Sequence, residues 1–241
     1  KIKFISSPFD IRSIEFLKKF KLDYIKVPSG EINNLPYLKV LAKTKKKIIL
    51  STGMSDLKEI KTAINILKKE GLSKKNLNIL HCHSDYPSKP KNLNLKSIIL
   101  LKKELGMSIG YSDHSLGIEA PVIAVAYGAK IIEKHLTLNK NYYGPDHKAS
   151  IEPQEFKKMV KAIRVAEKML GSNIKKPSII ELKNRKLVRK SIVAIKDIKR
   201  GEKFSLKNIS TKRPALGKSP MNFDSFLKKR ANKDYIKDEF I

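Results

Sequence analysis

Six short stretches of the chain share one pattern, a β-branched run followed at once by hydroxyl or ionisable groups. They are Ser6-Ser7-Pro8, Lys26-Val27-Pro28-Ser29-Gly30-Glu31, Leu50-Ser51-Thr52-Gly53, His81-Cys82-His83-Ser84, Tyr111-Ser112-Asp113-His114 and Glu133-Lys134-His135. One serine after a strand is an ordinary helix cap. Six such endings in register point instead to a site. Ser7, Lys26, Ser29, Ser51 and Ser112 are suited to surround a phosphate and a carboxylate, the lysine as a compact positive charge and the hydroxyls as donors. An inward-pointing lysine such as Lys26 is costly without an anionic partner. His114 and His135 end consecutive strands, and two neutral imidazoles leave open positions on a divalent cation for Lewis-acid chemistry. That reading requires both rings on one side of the sheet, within about 8 Å of each other. His81 and His83, two residues apart on one strand face, compete with them and are read as structural. Glu31, Tyr86 and Asp146 suit a hydroxylated substrate, with Glu31 able to bond hydroxyls or to position a water as base. Asp146 lies in Gly144-Pro145-Asp146, in a long loop that reads as a lid. Each of these three also fits an ordinary loop residue.

The elements that must position these groups alternate steadily. The strands read Ile2–Ser6, Tyr24–Val27, Ile48–Ser51, Leu77–His81, Ser108–Tyr111 and Lys130–Glu133. Helical periodicity falls between them at Ser13–Phe20, Tyr37–Ala42, Asp56–Glu70, Leu95–Glu104 and Ala120–Tyr127. A sixth helix, Pro153–Leu170, opens on proline with Glu155 in its first turn and stops at Gly171. Strict alternation predicts a parallel sheet covered by helices. No Gly-rich phosphate turn follows the first strand, which argues against an open dinucleotide-binding sheet. The pattern is that of a (β/α)8 barrel lacking its first two units, with the functional groups at the carboxyl ends of the strands where such barrels keep their sites. After Gly171 the character changes. We read residues 172–187 as an extended linker and residues 188–241 as a small domain, with short strands and turns at Ser191–Ile195, Asp197–Gly201 and Phe204–Ile209 and a short helix near Phe223–Leu227.

Composition bounds the rest. Hydrophobic residues are 41% of the chain, enough for a buried core and too many for a disordered one. Apolar runs such as Ile48-Ile49-Leu50 are far too short to cross a bilayer. The single cysteine, Cys82, cannot make an internal disulfide and suggests a reducing cytoplasm. With no initiator Met, the chain is expected to begin inside a longer one. Lys+Arg 52 against Asp+Glu 23 gives a net charge of +29. Only seven of those 52 are Arg, and the lysines are spread along the chain. Nucleic-acid readers cluster arginine, so the charge is read as diffuse lysine usage, with a basic module for nucleic acid or anionic glycan as the competing class.

The motifs resemble a known family. Ile5-Ser6-Ser7-Pro8-Phe9-Asp10, the run Lys26 to Tyr37, Ile49-Leu50-Ser51-Thr52-Gly53-Met54, Gly110-Tyr111-Ser112-Asp113-His114-Ser115, the run Ile132 to Leu138 and Gly144-Pro145-Asp146-His147-Lys148-Ala149-Ser150 are similar to the bacterial sialic acid synthases. Val188-Arg189-Lys190-Ser191 and Thr211-Lys212-Arg213-Pro214 resemble the antifreeze-like (SAF) domain that closes those enzymes. The resemblance covers essentially the whole chain. It implies a TIM barrel followed by an SAF domain, and a cytoplasmic transferase that joins phosphoenolpyruvate to an N-acetylmannosamine-type sugar, giving a nine-carbon 2-keto acid and phosphate. A relative of the same class would use a 2,4-diacetamido sugar and make legionaminic or pseudaminic acid. The resemblance further implies that Ser7, Lys26, Ser29, Ser51 and Ser112 hold phosphoenolpyruvate and that His114 and His135 hold Mn²⁺, with Mg²⁺ or Co²⁺ as substitutes. Glu31, Tyr86, Asp146 and Arg213 would contact the sugar, Glu31 and His135 serving catalysis. Family members are domain-swapped homodimers in which the residue matching Arg213 reaches the partner's site. Ser84 stands where some members have Asn, and Lys228 where Gly commonly follows the SAF helix. The family's first two strands, with a catalytic Glu, have no counterpart in this sequence, so this length alone is expected to be inactive.

Overall fold

Five of the six expected strands form, in the order of the chain. A computed structural model describes residues 2–241, which divide into two compact units, one ending at Gly171 and the other spanning Ser172–Ile241. The first contains α1 (Ile11–Lys18), β1 (Tyr24–Val27), α2 (Leu35–Lys43), β2 (Lys47–Ser51), α3 (Leu57–Lys69), β3 (Leu77–Cys82), α4 (Ser97–Leu105), β4 (Ile109–Asp113), α5 (Glu119–Ala126), β5 (Ile132–Lys134) and α6 (Pro153–Leu170). Local chemistry sets the helix ends. Asp10 caps α1 by accepting from the Ser13 amide, and Asp56 with Glu59 closes a reciprocal capping box on α3. At the other end of α4, Gly106 takes the left-handed conformation (φ 56°) that a side chain would disfavour.

All neighbouring strands pair in parallel in the order β1-β2-β3-β4-β5, a curled sheet that is half of a TIM-type barrel. Side chains alternate across such a sheet. Ile25, Val27, Ile48, Leu50, Ile79 and Tyr111 therefore face the helices and build one core with Leu38, Leu41, Leu67 and Ile98. Lys26, Ser51, Cys82, Ser112 and Glu133 stand on the opposite face.

Sequence and structure part company in several places. Ile2–Ser6 is not a strand: only Ser6 pairs, through a single parallel bridge to Ile25. Ile2 and Phe4 are 100% and 68% exposed, so the alternation there has no layer to bury against. β4 and β5 run on to Asp113 and Lys134, because Ser112 and Asp113 pair with Glu133 and Lys134. In the second unit, the segment read as an extended linker holds a helix, α7 (Ile179–Val188), started by the Ser178 and Glu181 capping box. The sheet of that unit is β6 (Ser191–Ala194) antiparallel to β7 (Ile209–Lys212). Asp197–Gly201 and Phe204–Ile209 form turns and single bridges rather than strands, apart from Ile209, which opens β7. Ile198 and Lys203 make isolated bridges to Tyr235 and Arg230, and Ile198, Phe204 and Ile209 feed a small core with Ile192 and Tyr235. The short helix α8 (Phe223–Leu227) forms where the sequence placed it. Among the described residues, no helix is long and apolar enough to cross a membrane.

Candidate functional site

The register of the sheet aligns its chemistry. Cys82 pairs with Ser112 and Ser112 with Glu133, so three polar groups form a row just inside the carboxyl rim. One layer below, Gly110 makes room: a Cβ there would stand 2.4 Å from Leu80 Cδ2 and 2.6 Å from the Ile131 carbonyl oxygen. Ser112 Oγ donates to Glu133 Oε1 at 2.6 Å, and Lys26 Nζ stands 3.5 Å from the same oxygen, with Lys26 only 12% exposed. The anionic partner that an inward lysine needs is thus supplied by Glu133. Ser29 Oγ accepts from the Gly53 amide at 2.9 Å, which ties the loop after β1 to the loop after β2. Ser51 Oγ is the only buried side-chain polar atom among the described residues without a hydrogen-bond partner. An orphaned buried hydroxyl costs about 1–3 kcal/mol unless something satisfies it, and a bound anion would.

Above this row three rings meet. The centroids of His114 and His135 are 5.3 Å apart with the planes at 71°, inside the separation that a shared ion requires. Tyr86 stacks on His114 at 4.0 Å and sets its ring near the edge of His135 at 5.4 Å. His114 Nδ1 donates to the His83 carbonyl at 2.6 Å, which leaves the Nε2 lone pair free for a ligand. Burial holds the His114 pKa below its ordinary value, opposed by that hydrogen bond and reinforced by His135, so the ring is neutral near pH 7. His135 Nδ1 lies 3.8 Å from Asp146 Oδ2, which places Asp146 at the imidazole pair. Burial, with Cys82, Asp146 and Glu133 nearby, pushes the Tyr86 phenol up to about 12, so it remains a proton donor. Among the described residues no three His, Cys, Asp or Glu side chains gather as a metal cluster. Two neutral imidazoles nevertheless have the ligand chemistry of an open cation site, which keeps its remaining positions for water and substrate oxygens.

The remaining sequence candidates are placed as follows. Ser7 lies just past the Ser6 to Ile25 bridge, at the sheet edge beside β1, and the Pro8 carbonyl next to it accepts from the buried Tyr37 hydroxyl at 2.8 Å. Glu31 turns to Asn34, accepting from Nδ2 at 2.6 Å, and lies toward Tyr37. Arg213 belongs to the second unit, where its Nε donates to the Val188 carbonyl. His81 donates through Nε2 to the Leu93 carbonyl at 2.7 Å, and His83 bonds Ser88 Oγ at 2.9 Å, the structural roles expected of them. Two members of the site went unmarked in the sequence. Glu133 completes the Lys26 and Ser112 cluster, and Cys82 places its sulfur 3.8 Å from His114 Nδ1, with its thiol pKa raised by burial. Both sit in the strand endings that flagged the other residues, and that position was the available signal. Nearby, a flank groove of about 610 Å³ lined by Leu93, Leu116, Ala120 and Ile123 contains none of these groups.

Fold and site together define a barrel-type protein whose rim carries a lysine, hydroxyls and a pair of imidazoles, followed by a small β module. Residues 1–175 match the NeuB family and residues 189–241 match the SAF domain. The chain belongs to the NeuB family. It is 52% identical over 240 residues to an N,N'-diacetyllegionaminic acid synthase of Campylobacter jejuni, covering all of this chain and 72% of that protein. It is 44% identical over 232 residues to an enzyme of the same name from Legionella pneumophila, covering 95% of this chain and 65% of that one. Among solved structures, the N-acetylneuraminic acid (sialic acid) synthetase of Leptospira borgpetersenii, crystallised with citrate, superposes with a TM-score of 0.71 at 38% identity, over 76% of this chain and 63% of that one.

Proposed function

We propose that the protein condenses phosphoenolpyruvate with an N-acetylated amino-sugar aldehyde, releasing phosphate and forming a nine-carbon 2-keto sugar acid. One observation carries this reading: a lysine-and-hydroxyl cluster suited to an anion lies directly beneath a pair of imidazoles suited to a cation, on a single rim. The motifs alone put an N-acetylmannosamine-type sugar first. The two relatives named for N,N'-diacetyllegionaminic acid move the 2,4-diacetamido sugar ahead of it, with pseudaminic-type substrates behind.

In this mechanism Lys26, Ser29, Ser51 and Ser112 hold the phosphate and carboxylate, and Ser7 adds a hydroxyl from the sheet edge. His114 and His135 would hold Mn²⁺, with Mg²⁺ or Co²⁺ as substitutes, and when bound such an ion would supply Lewis-acid polarisation of the sugar aldehyde. The His83 carbonyl fixes the His114 tautomer so that its free nitrogen faces outward. Tyr86 donates a hydrogen bond from its phenol to the sugar, Asp146 closes over it, and Glu31 positions the water. Carbon 3 of phosphoenolpyruvate bonds to the aldehyde carbon, the water oxygen bonds to carbon 2, and the bond from carbon 2 to the phosphate oxygen breaks; of the water's two protons one ends on the former aldehyde oxygen and the other leaves with phosphate as carbon 2 becomes the ketone. The protein works in the cytoplasm as a domain-swapped homodimer, Arg213 of one copy reaching the sugar site of the other.

The test uses the complete gene product. Phosphate release should require phosphoenolpyruvate, a divalent ion and one sugar of an N-acetylated panel, with the 2,4-diacetamido sugar the fastest and the product mass matching the keto acid. His135→Ala should abolish metal dependence along with activity. Full activity in EDTA, or release without any sugar, would overturn the proposal.

A further inference from the structure

Behind the site, on the helix-facing side of the same two strands, lies a fully buried ion pair. Lys134 Nζ stands 2.6 Å from Asp113 Oδ2, with side-chain exposures of 2% and 0%. The two residues are direct partners in the β4 to β5 register. Asp113 Oδ1 accepts from the Tyr111 hydroxyl at 3.0 Å, the Ser115 amide at 2.9 Å and Ser115 Oγ at 2.7 Å. Lys134 also donates to the Ser115 carbonyl. His114 is therefore bracketed in the chain by two residues, Asp113 and Ser115, that this network immobilises. His135 follows directly on Lys134.

Stability does not explain such an arrangement. A buried ion pair can generally be replaced by apolar side chains of similar volume with little loss, whereas removing one partner alone is strongly destabilising. What the pair supplies is discrimination between registers. β5 is only three residues long, and its ladder to β4 has three residue pairs, so hydrophobic patterning specifies its alignment weakly. A slip of β5 by one residue would leave the Asp113 carboxylate unpaired in the core, turn Lys134 to the pocket side and carry Glu133 and His135 to the wrong face.

We infer that Asp113 and Lys134 are positioning residues, a register lock that sets the separation of His114 and His135. The inference rests on the reading of those imidazoles as cation ligands, so its test includes a measurement made without metal. The protein has five histidines, and selective isotope labelling resolves their rings by NMR. In the metal-free wild type, ring-to-ring cross-peaks should connect Tyr86 with His114 and His114 with His135. The double variant Asp113→Leu/Lys134→Met should stay folded, weaken the His114 to His135 cross-peak and lower Mn²⁺ affinity, measured by calorimetry, at least tenfold. A folded double variant that keeps the cross-peak and binds Mn²⁺ within twofold of wild type overturns the inference. Should that variant not fold, Tyr111→Phe decides, since it removes one donor to Asp113 and keeps the ring. At least a threefold loss of Mn²⁺ affinity with a weakened cross-peak supports the lock, and no change in either overturns it. If the wild type itself binds no Mn²⁺, the cation reading fails, and the metal-free cross-peaks still decide for or against the lock.

Discussion

Replacing Lys26 by Met is the sharpest probe of the anion cluster. Lys26 Nζ lies 3.5 Å from Glu133 Oε1, and Coulomb's law at that distance gives an attraction of about 5 kcal/mol at an effective dielectric near 20. An anionic substrate oxygen taking the place of Glu133 feels the same field. Glu133 is 38% exposed, so solvent screening reduces the net loss to roughly 2–3 kcal/mol, or about 30- to 150-fold in affinity at tenfold per 1.4 kcal/mol. Lys26→Met should therefore raise the KM for phosphoenolpyruvate by that factor and leave the KM for the sugar within about threefold. The decisive comparison is Lys26→Met/Glu133→Gln. If lysine serves the substrate, removing the carboxylate relieves only the repulsion, and most of the loss persists. Wild-type affinity in the double variant would show that Lys26 does nothing but balance Glu133, and the anion-site argument would be wrong. Steady-state phosphate release with each substrate varied in turn reads both constants.

Other parts of the structure lend themselves to similar tests. Gly53→Ala places a methyl group 2.1 Å from Ser84 Oγ and 2.9 Å from Ser29 Oγ; displacing the Ser29 bond, worth about 1–1.5 kcal/mol, should lower the melting temperature by a few degrees and weaken phosphoenolpyruvate binding about tenfold. Tyr37→Phe removes the hydroxyl that donates to the Pro8 carbonyl and should cost about 1–2 kcal/mol, seen as a lower urea midpoint and faster amide exchange around Ser7. Burial lowers the pKa of both His81 and His114, so the unfolded chain binds protons that the folded one refuses. Stability should then be full above the ordinary histidine pKa near 6.5 and fall as pH drops through it; His81→Asn should flatten the melting temperature between pH 7.5 and 5.5, and an unchanged slope would refute the assignment.

Much of this was legible in the sequence because it is local or periodic. Strand and helix alternation gave the parallel sheet, and reactive residues at matching strand ends gave the imidazole pair, now 5.3 Å apart. What stayed hidden depends on which strand lies beside which. Glu133 and Lys26 are 107 positions apart in the chain, and only the curl of the sheet brings them together. The Asp113 and Lys134 pair needs the β4 to β5 register, which no single-strand pattern contains. α7 is a different case. Its Ser178-x-x-Glu181 signature was readable, and the surrounding lysines and Pro177 masked it. At Ile2–Ser6 the alternation was correct as a pattern, but pairing reaches only Ser6, since period alone cannot supply a neighbour.

The two-sidedness of β4 has a genetic consequence. Its even positions build the pocket and its odd positions anchor the strand against the helices, all within Ile109–Asp113 and the residue that follows. Codons added to the loop past Ser115 or Leu136 lengthen an edge and leave this parity intact. Deleting one codon inside the strand exchanges the two faces, sending an aspartate toward the substrate and an imidazole into oil. Natural variation in this stretch should therefore accumulate as point replacements, with changes of length confined to the turns on either side.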